Sequence, residues 1–145
     1  MSAGLCLPYP PAELNPNKRL HWSKKLPYSN GYKRICWGIA LEAGWKKLAL
    51  KDGEKVHLWI DFYPPDRRKR DDDNIAAAFK SGRDGIAKAL GVDDSKFVSH
   101  PFLADYDPEF SGVKVRFSLF GQTEKKHDQK PARIHRRLPA ENWWR

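Results

Sequence analysis

The sequence predicts a small α+β domain with a mixed sheet, and three observations carry that prediction. The stretches "KVHLWIDFY" and "GVKVRFSLFG" alternate apolar and polar residues with the two-residue period of a half-buried strand. Two further stretches repeat apolar residues at helical spacing. Along the chain the elements read β-α-β-α-β-β, the pattern of an α+β domain. A chain of 145 residues suits one domain that buries its core without disulfides.

The elements follow in order. Leu5 to Leu7 reads as a short first strand ended by "PYPP". Residues 8–29 read as a loop, because Pro8, Pro10, Pro11, Pro16 and Pro27 oppose a helix. From Ser29 or Asn30 to about Ala49 the chain reads as a helix, with Ile35, Ile39, Leu41 or Ala43, and Leu48 as its apolar stripe and Gly44 as a weak point. "KDGE" is a turn. The strand "KVHLWIDFY" then puts Val56, Leu58, Ile60 and Phe62 on one face, and Pro64 and Pro65 end it. A second helix runs from Asp71–Asp73 to Gly91, its apolar face made by Ile75, Phe79, Ile86 and Leu90. Gly82 and Gly85 weaken it or let a neighbour pack close. A turn at Asp93–Asp94 leads to a strand from about Lys96. The last strand alternates Val113, Val115, Phe117 and Leu119. Residues 1–121 form the predicted domain, and 122–145 read as a basic, flexible tail too poor in apolar residues to build a core.

A net charge of +9 and a pI near 9.6 point first to polyanionic partners. Neither a basic amphipathic helix nor a lipidation signal argues for a membrane surface, and the apolar runs are too short to span a bilayer. The opening residues lack the pattern of a secretory signal. Cys6 and Cys36 read as core filler in a reduced, cytoplasmic setting, and they are not spaced as a metal pair. The five histidines show no ligand spacing, and none is assigned to catalysis.

The segment "PPDRRKRDDDNIAAAFK" carries the chemistry. Arg67, Arg68, Lys69 and Arg70 are followed at once by Asp71, Asp72 and Asp73. Acids at a helix start cap it and interact with its dipole, which accounts for one or two of them. Three together exceed that need, and Asp93–Asp94 near the other end opposes the dipole. A straight helix would hold the two acidic sets about 25–30 Å apart. They meet only if the chain bends at Gly82 or Gly85, or if a second subunit supplies one set. Converging carboxylates need a counter-cation, and their hard oxygens suit Mg²⁺, or Mn²⁺ in its place. An EF-hand is excluded by the absence of its Gly and Glu. Lys80, two turns past Asp73, either approaches the acidic end or pairs with Asp84. Arg67 to Arg70 supply phosphate grips without sequence reading. Lys18, Arg19, Lys24 and Lys25, interleaved with Trp22 and Tyr28, form a second basic set suited to backbone and exposed bases.

The stretches "PDRRKRDDDN", Lys80 and "DGIAKALGVDDSKF", with the opening "LPYPPAELNPNKRLHW", resemble the RusA family of Holliday junction resolvases of phages and prophages over roughly residues 4–120. The resemblance implies a homodimeric, Mg²⁺-dependent endodeoxyribonuclease that resolves four-way DNA junctions in recombination and repair. It implies Asp71, Asp73 and Asp94 as metal-binding and catalytic acids, with Asp93 as the fallback for Asp94. The family's lysine position, four residues after Asp73, holds Ala77, and Lys80 matches a variant spacing among phage members. A second expectation is a non-catalytic DNA-binding protein descended from such a resolvase.

Overall fold

Alternation along the strands sorts the side chains of one sheet into two unlike faces, and this sorting builds the domain. The computed structural model describes residues 4–119; the expected tail, 122–145, lies outside the described residues. The elements are β1 (Leu5–Leu7), α1 (Trp22–Glu42), β2 (Val56–Tyr63), α2 (Asp72–Ala78), α3 (Lys80–Leu90), β3 (Phe97–Leu103) and β4 (Gly112–Ser118). Single 3₁₀ turns occupy Ala12–Leu14 and Asp94–Lys96. The sheet order is β1-β4-β2-β3, with β2 and β3 parallel and the other pairings antiparallel. The mixed sheet and α+β class agree with the sequence.

Leu5, Leu7, Val56, Leu58, Ile60, Phe62, Val113 and Val115 all enter one core with Tyr32, Cys36, Ala40, Ile75, Phe79, Ile86 and Leu90 from the helices. The three helices therefore share one face of the sheet. Emptying a site such as Phe62, 1% exposed, costs about 3–5 kcal/mol when truncated to Ala. The other face is richer in polar groups: His57, Trp59, Asp61 and Tyr63 on β2, opposite Ser118, Arg116, Lys114 and Gly112 on β4. Trp59 and Tyr63 are nonetheless buried.

Several expectations need correction. Cys6 is exposed, because it falls between the inward Leu5 and Leu7; only Cys36 is core filler. α1 starts at Trp22 and runs through Pro27. The His21 side chain accepts from the Ser23 N–H at 3.2 Å, which caps the helix start. Pro27 removes the N–H that would bond the Ser23 carbonyl, and both residues are exposed, so water meets that group. α1 also stops at Glu42, short of Ala49. Gly44 adopts φ +89° and ends the helix: its N–H bonds the Leu41 carbonyl at 3.0 Å, and the Trp45 N–H bonds that of Ala40 at 3.0 Å.

The buried stripe of α1 is Tyr32, Cys36 and Ala40, whereas Ile35 and Leu41 are 48% and 46% exposed. Close approach decides this. A Cβ on Gly85 would collide with the Lys33 carbonyl, and one on Gly82 would sit 2.7 Å from Tyr32. Glycines on α3 let the α1 backbone and the Tyr32 ring come close, so the helices meet along the less hydrophobic side of α1. The second predicted helix is two helices. The break lies at Phe79 (φ −86°, ψ 0°), not at Gly82 or Gly85. Phe79 is 1% exposed and packs edge-on against Phe62 and Tyr32, so the core fixes the break. No helix among the described residues is long and apolar enough to cross a membrane.

Candidate nucleic-acid and metal site

The cationic loop is a folded unit with Asp66 as its hub. Pro64 and Pro65 stop β2, and Asp66 then accepts from the Arg68 N–H at 3.0 Å, the local turn that a short acidic side chain makes with the residue two ahead. Arg68 and Arg70 reach back to the same carboxylate, with closest ion-pair distances of 3.2 and 2.8 Å. The hydrogen bonds from Arg68, then those and the charge of Arg70, pull the Asp66 carboxyl down to about 2. Arg70 also donates to the carbonyls of Asp66 (3.1 Å) and Arg68 (2.9 Å), and its side chain is only 14% exposed. It braces the loop, and its guanidinium lies over Tyr9 at 5.8 Å. Arg67, Arg68 and Lys69 face solvent, with Arg67 stacked on Tyr106 at 4.7 Å. Lys18 and Arg19 are exposed as well, and Lys18 lines a cleft of about 420 Å³ together with Arg68, Lys69 and Tyr9.

The loop runs straight into the first acidic set. Asp71 is the N-cap of α2 and accepts from the Asp73 N–H at 2.8 Å. Asp72 and Asp73 occupy the first turn, and all three are exposed. Asp71 faces a cleft of about 570 Å³, bordered by Lys69, Arg70 and Asn74 on one side and Asn15 and Asn17 on the other.

The second set arrives by a reversal. Gly91 takes a left-handed conformation (φ +64°) that closes α3, and the chain then turns back beside that helix. The Arg83 guanidinium donates to the Asp94 carbonyl at 3.0 Å. Lys80 Nζ lies 3.8 Å from Asp94 Oδ2 and 3.8 Å from Asp84 Oδ2. Of the two expected partnerships of Lys80, the pairing with Asp84 is present; its other partner is Asp94, not the Asp71–Asp73 end. Asp93 is occupied differently. Its carboxylate caps the 3₁₀ turn, accepting from the Ser95 hydroxyl and from the Ser95 N–H at 3.1 Å, and these bonds lower its pKa.

The return at Gly91 brings Asp94 back beside α3, to Lys80 at the start of that helix, whereas Asp71 faces its own cleft at the start of α2. Among the described residues, no three His, Cys, Asp or Glu side chains gather as a preformed metal cage. The donor set still suits Mg²⁺. This ion takes one or two carboxylates and completes its octahedron with water and phosphate oxygens, and Asp71 and Asp73 offer exposed carboxylates at one helix start.

No family model matches the chain. A protein of Xylella fastidiosa named "uncharacterized protein" is 43% identical over 134 residues, covering 90% of this chain and 84% of that protein. The two chains belong to one family. At that coverage the two acidic turns fall within the shared length.

Sequence reasoning missed two contributors to the site, Asp66 and the Asn15–Asn17 wall, and one cluster on the helix-free face of the sheet. Asp66 was legible as a turn-former after "PP", yet its two arginine partners depend on the loop's three-dimensional path. Asn15 and Asn17 become a wall of the cleft only because the segment before α1 folds against α2. His57 and His100 meet at 2.8 Å between Nδ1 and Nε2, with Trp59 stacked on His100 at a centroid distance of 3.9 Å. The parallel pairing of β2 with β3 creates that contact, and no spacing along the chain announces it.

Proposed function

We propose that this chain is a Mg²⁺-dependent endodeoxyribonuclease selective for branched DNA, with four-way junctions as the preferred substrate and a homodimer as the working form. The single observation that carries the reading is the approach of Lys80 to Asp94, produced by the reversal at Gly91, on a helical segment whose start presents Asp71 and Asp73 behind a cationic loop. The motif resemblance to RusA resolvases supplies the reaction class.

Asp71, Asp73 and Asp94 would hold the ion, which when bound supplies an activated water and neutralises charge at the phosphodiester. Arg67, Arg68 and Lys69 draw the DNA backbone toward the acids, which alone would repel it. Arg70 keeps that loop in shape through Asp66. Lys80 screens Asp94 in the free protein and turns to a phosphate oxygen of the substrate when DNA fills the cleft. Two copies related by a two-fold axis match the symmetry of a four-way junction and account for paired cuts.

The test is cleavage of a synthetic four-way junction with and without Mg²⁺, comparing the natural chain with Asp73→Asn. The reading expects cutting that requires the ion and is lost in the variant while junction binding persists. Equal cutting by both chains would remove the acids from the mechanism.

One observation favours a non-catalytic DNA-binding protein: Asp71 and Asp93 both serve as caps, and Lys80 pairs with Asp94, so three of the acids have structural tasks. Calorimetric titration with Mg²⁺ or Mn²⁺ separates the readings, since such a protein has no need to hold the ion.

A further inference from the structure

Between Glu13 and Glu42 the chain carries Lys18, Arg19, Lys24, Lys25, Lys33 and Arg34 and no acidic residue. Much of this stretch stands clear of the core. The first buried residue of α1 is Tyr32, so its first ten residues, 22–31, form an arm of about 15 Å. The arm exposes Trp22 (68%), Leu26 (46%) and Tyr28 (43%), and Trp22 is the most exposed large apolar side chain of the described residues. Its position at the tip is fixed by the preceding cap: His21 bonds the Ser23 N–H and hydroxyl, at 3.2 and 2.8 Å, and its ring lies against Trp22 at a centroid distance of 5.5 Å. The arm also adjoins the acidic cleft. Lys25 Nζ donates to the Asn15 carbonyl at 3.3 Å, and Asn15 lines the same cleft as Asp71.

We propose that this arm is a wedge for branched DNA, with Trp22 stacking on a base unpaired or splayed at the branch point while Lys18, Arg19, Lys24 and Lys25 hold the flanking phosphates. The inference rests on the nuclease reading and adds to it the element that distinguishes branched from linear DNA. An aromatic face accepts any base, so the wedge recognises an exposed base without reading sequence. The charge selects a polyanion over a second copy, because two such arms carry the same sign throughout. The helical positions argue against a lipid surface. Trp22 and Leu26 share a side, but Tyr28 lies about 240° around the helix from Trp22, so the three together make no continuous face of the kind an interfacial helix buries.

The experiment compares the full chain with Trp22→Ala and Trp22→Phe. Each is titrated onto a four-way junction carrying 2-aminopurine at the branch point and onto a linear duplex of the same sequence. The wedge predicts that Trp22→Ala weakens junction binding about tenfold, abolishes the change in 2-aminopurine fluorescence and leaves duplex binding unaltered. Trp22→Phe should behave as the natural chain. Unchanged junction binding by Trp22→Ala overturns the wedge alone, as does an equal loss on junction and duplex. A change in self-association without a change in DNA affinity makes the arm a contact between copies and overturns it too. If the natural chain binds neither DNA, the nuclease reading fails first and takes the wedge with it.

Discussion

The two acidic turns, at Asp71–Asp73 and Asp93–Asp94, use the same local device in different surroundings. In each, the first aspartate caps the turn by accepting from the N–H two residues ahead, Asp73 in one case and Ser95 in the other. The acids that follow, Asp72 and Asp73 in one turn and Asp94 in the other, are left outside the cap. Around Asp94 a cation is already in place, with Lys80 at 3.8 Å and Arg83 holding the backbone. No ion pair among the described residues reaches Asp73. Its nearest cations along the chain are Lys69 and Arg70, and Arg70 is committed to Asp66. The difference teaches that local geometry explains the first acid of each turn, while the last acid needs a reason from outside the turn. At Asp94 that reason is Lys80; at Asp73 it is the proposed ion.

The largest expected effect follows from that asymmetry. Asp73→Asn should lower junction cleavage about 100-fold or more while leaving the melting temperature unchanged, because Asp73 is exposed and is not the cap. A fall in stability equal to the loss of activity would make Asp73 a structural acid like Asp71. Next, Lys80→Ala should reduce cleavage about tenfold to a hundredfold, with partial recovery in Lys80→Arg. Recovery of nothing by Arg would place the lysine's role in shape instead of charge.

Gly85→Ala addresses the frame that holds the second turn in place. The added methyl meets the Lys33 carbonyl and should cost about 1–3 kcal/mol by chemical denaturation. It should also lower cleavage, since α3 carries Lys80. Stability lost with cleavage intact would uncouple the two turns from the packing of α1 on α3.

A smaller effect comes from Asp61, on the helix-free face of the sheet. Desolvation raises its carboxyl to about 7, against the pull of Arg116 and then Lys114. The folded chain therefore holds a proton that the unfolded chain releases near pH 4, so this residue makes stability fall as pH rises from about 4 to 7. Asp61→Asn should flatten that part of a denaturation series and leave the acid side unchanged. The smallest effect has the opposite sign. Asp93 is lowered by its Ser95 bonds, so its contribution is present above the ordinary carboxylate range and disappears as pH falls through it. Asp93→Ala should remove that acid-side loss and leave metal binding intact; a variant that no longer takes up metal would make Asp93 a ligand as well as a cap.

Much of the fold was legible because its strands alternate strictly: Val56 to Phe62 and Val113 to Val115 name the core face without help. The second helical region was legible in its apolar residues and its Gly91 stop, but its break was not, since Phe79 departs from helix only because the core holds its ring. The buried side of α1 was illegible for a related reason. Cys36 and Ala40 carry a weak hydrophobic signal, and α1 turns that side inward where Gly85 on α3 admits Cys36 and the Lys33 carbonyl. The site was legible as residue types. The meeting of Lys80 with Asp94 depends on the direction taken after Gly91, which no spacing along the chain encodes. Pro27 misled because a proline in an exposed helical arm costs less than one in a buried helix.

The central claim is that both acidic turns serve one divalent ion. The most direct measurement is calorimetric titration of Mn²⁺ into the full chain, into Asp73→Asn and into Asp94→Asn, each in the presence of an uncleavable junction. The account predicts one class of site in the natural chain and loss of that same class in either variant. Retention of the site in both variants, or a loss confined to one turn, would contradict it.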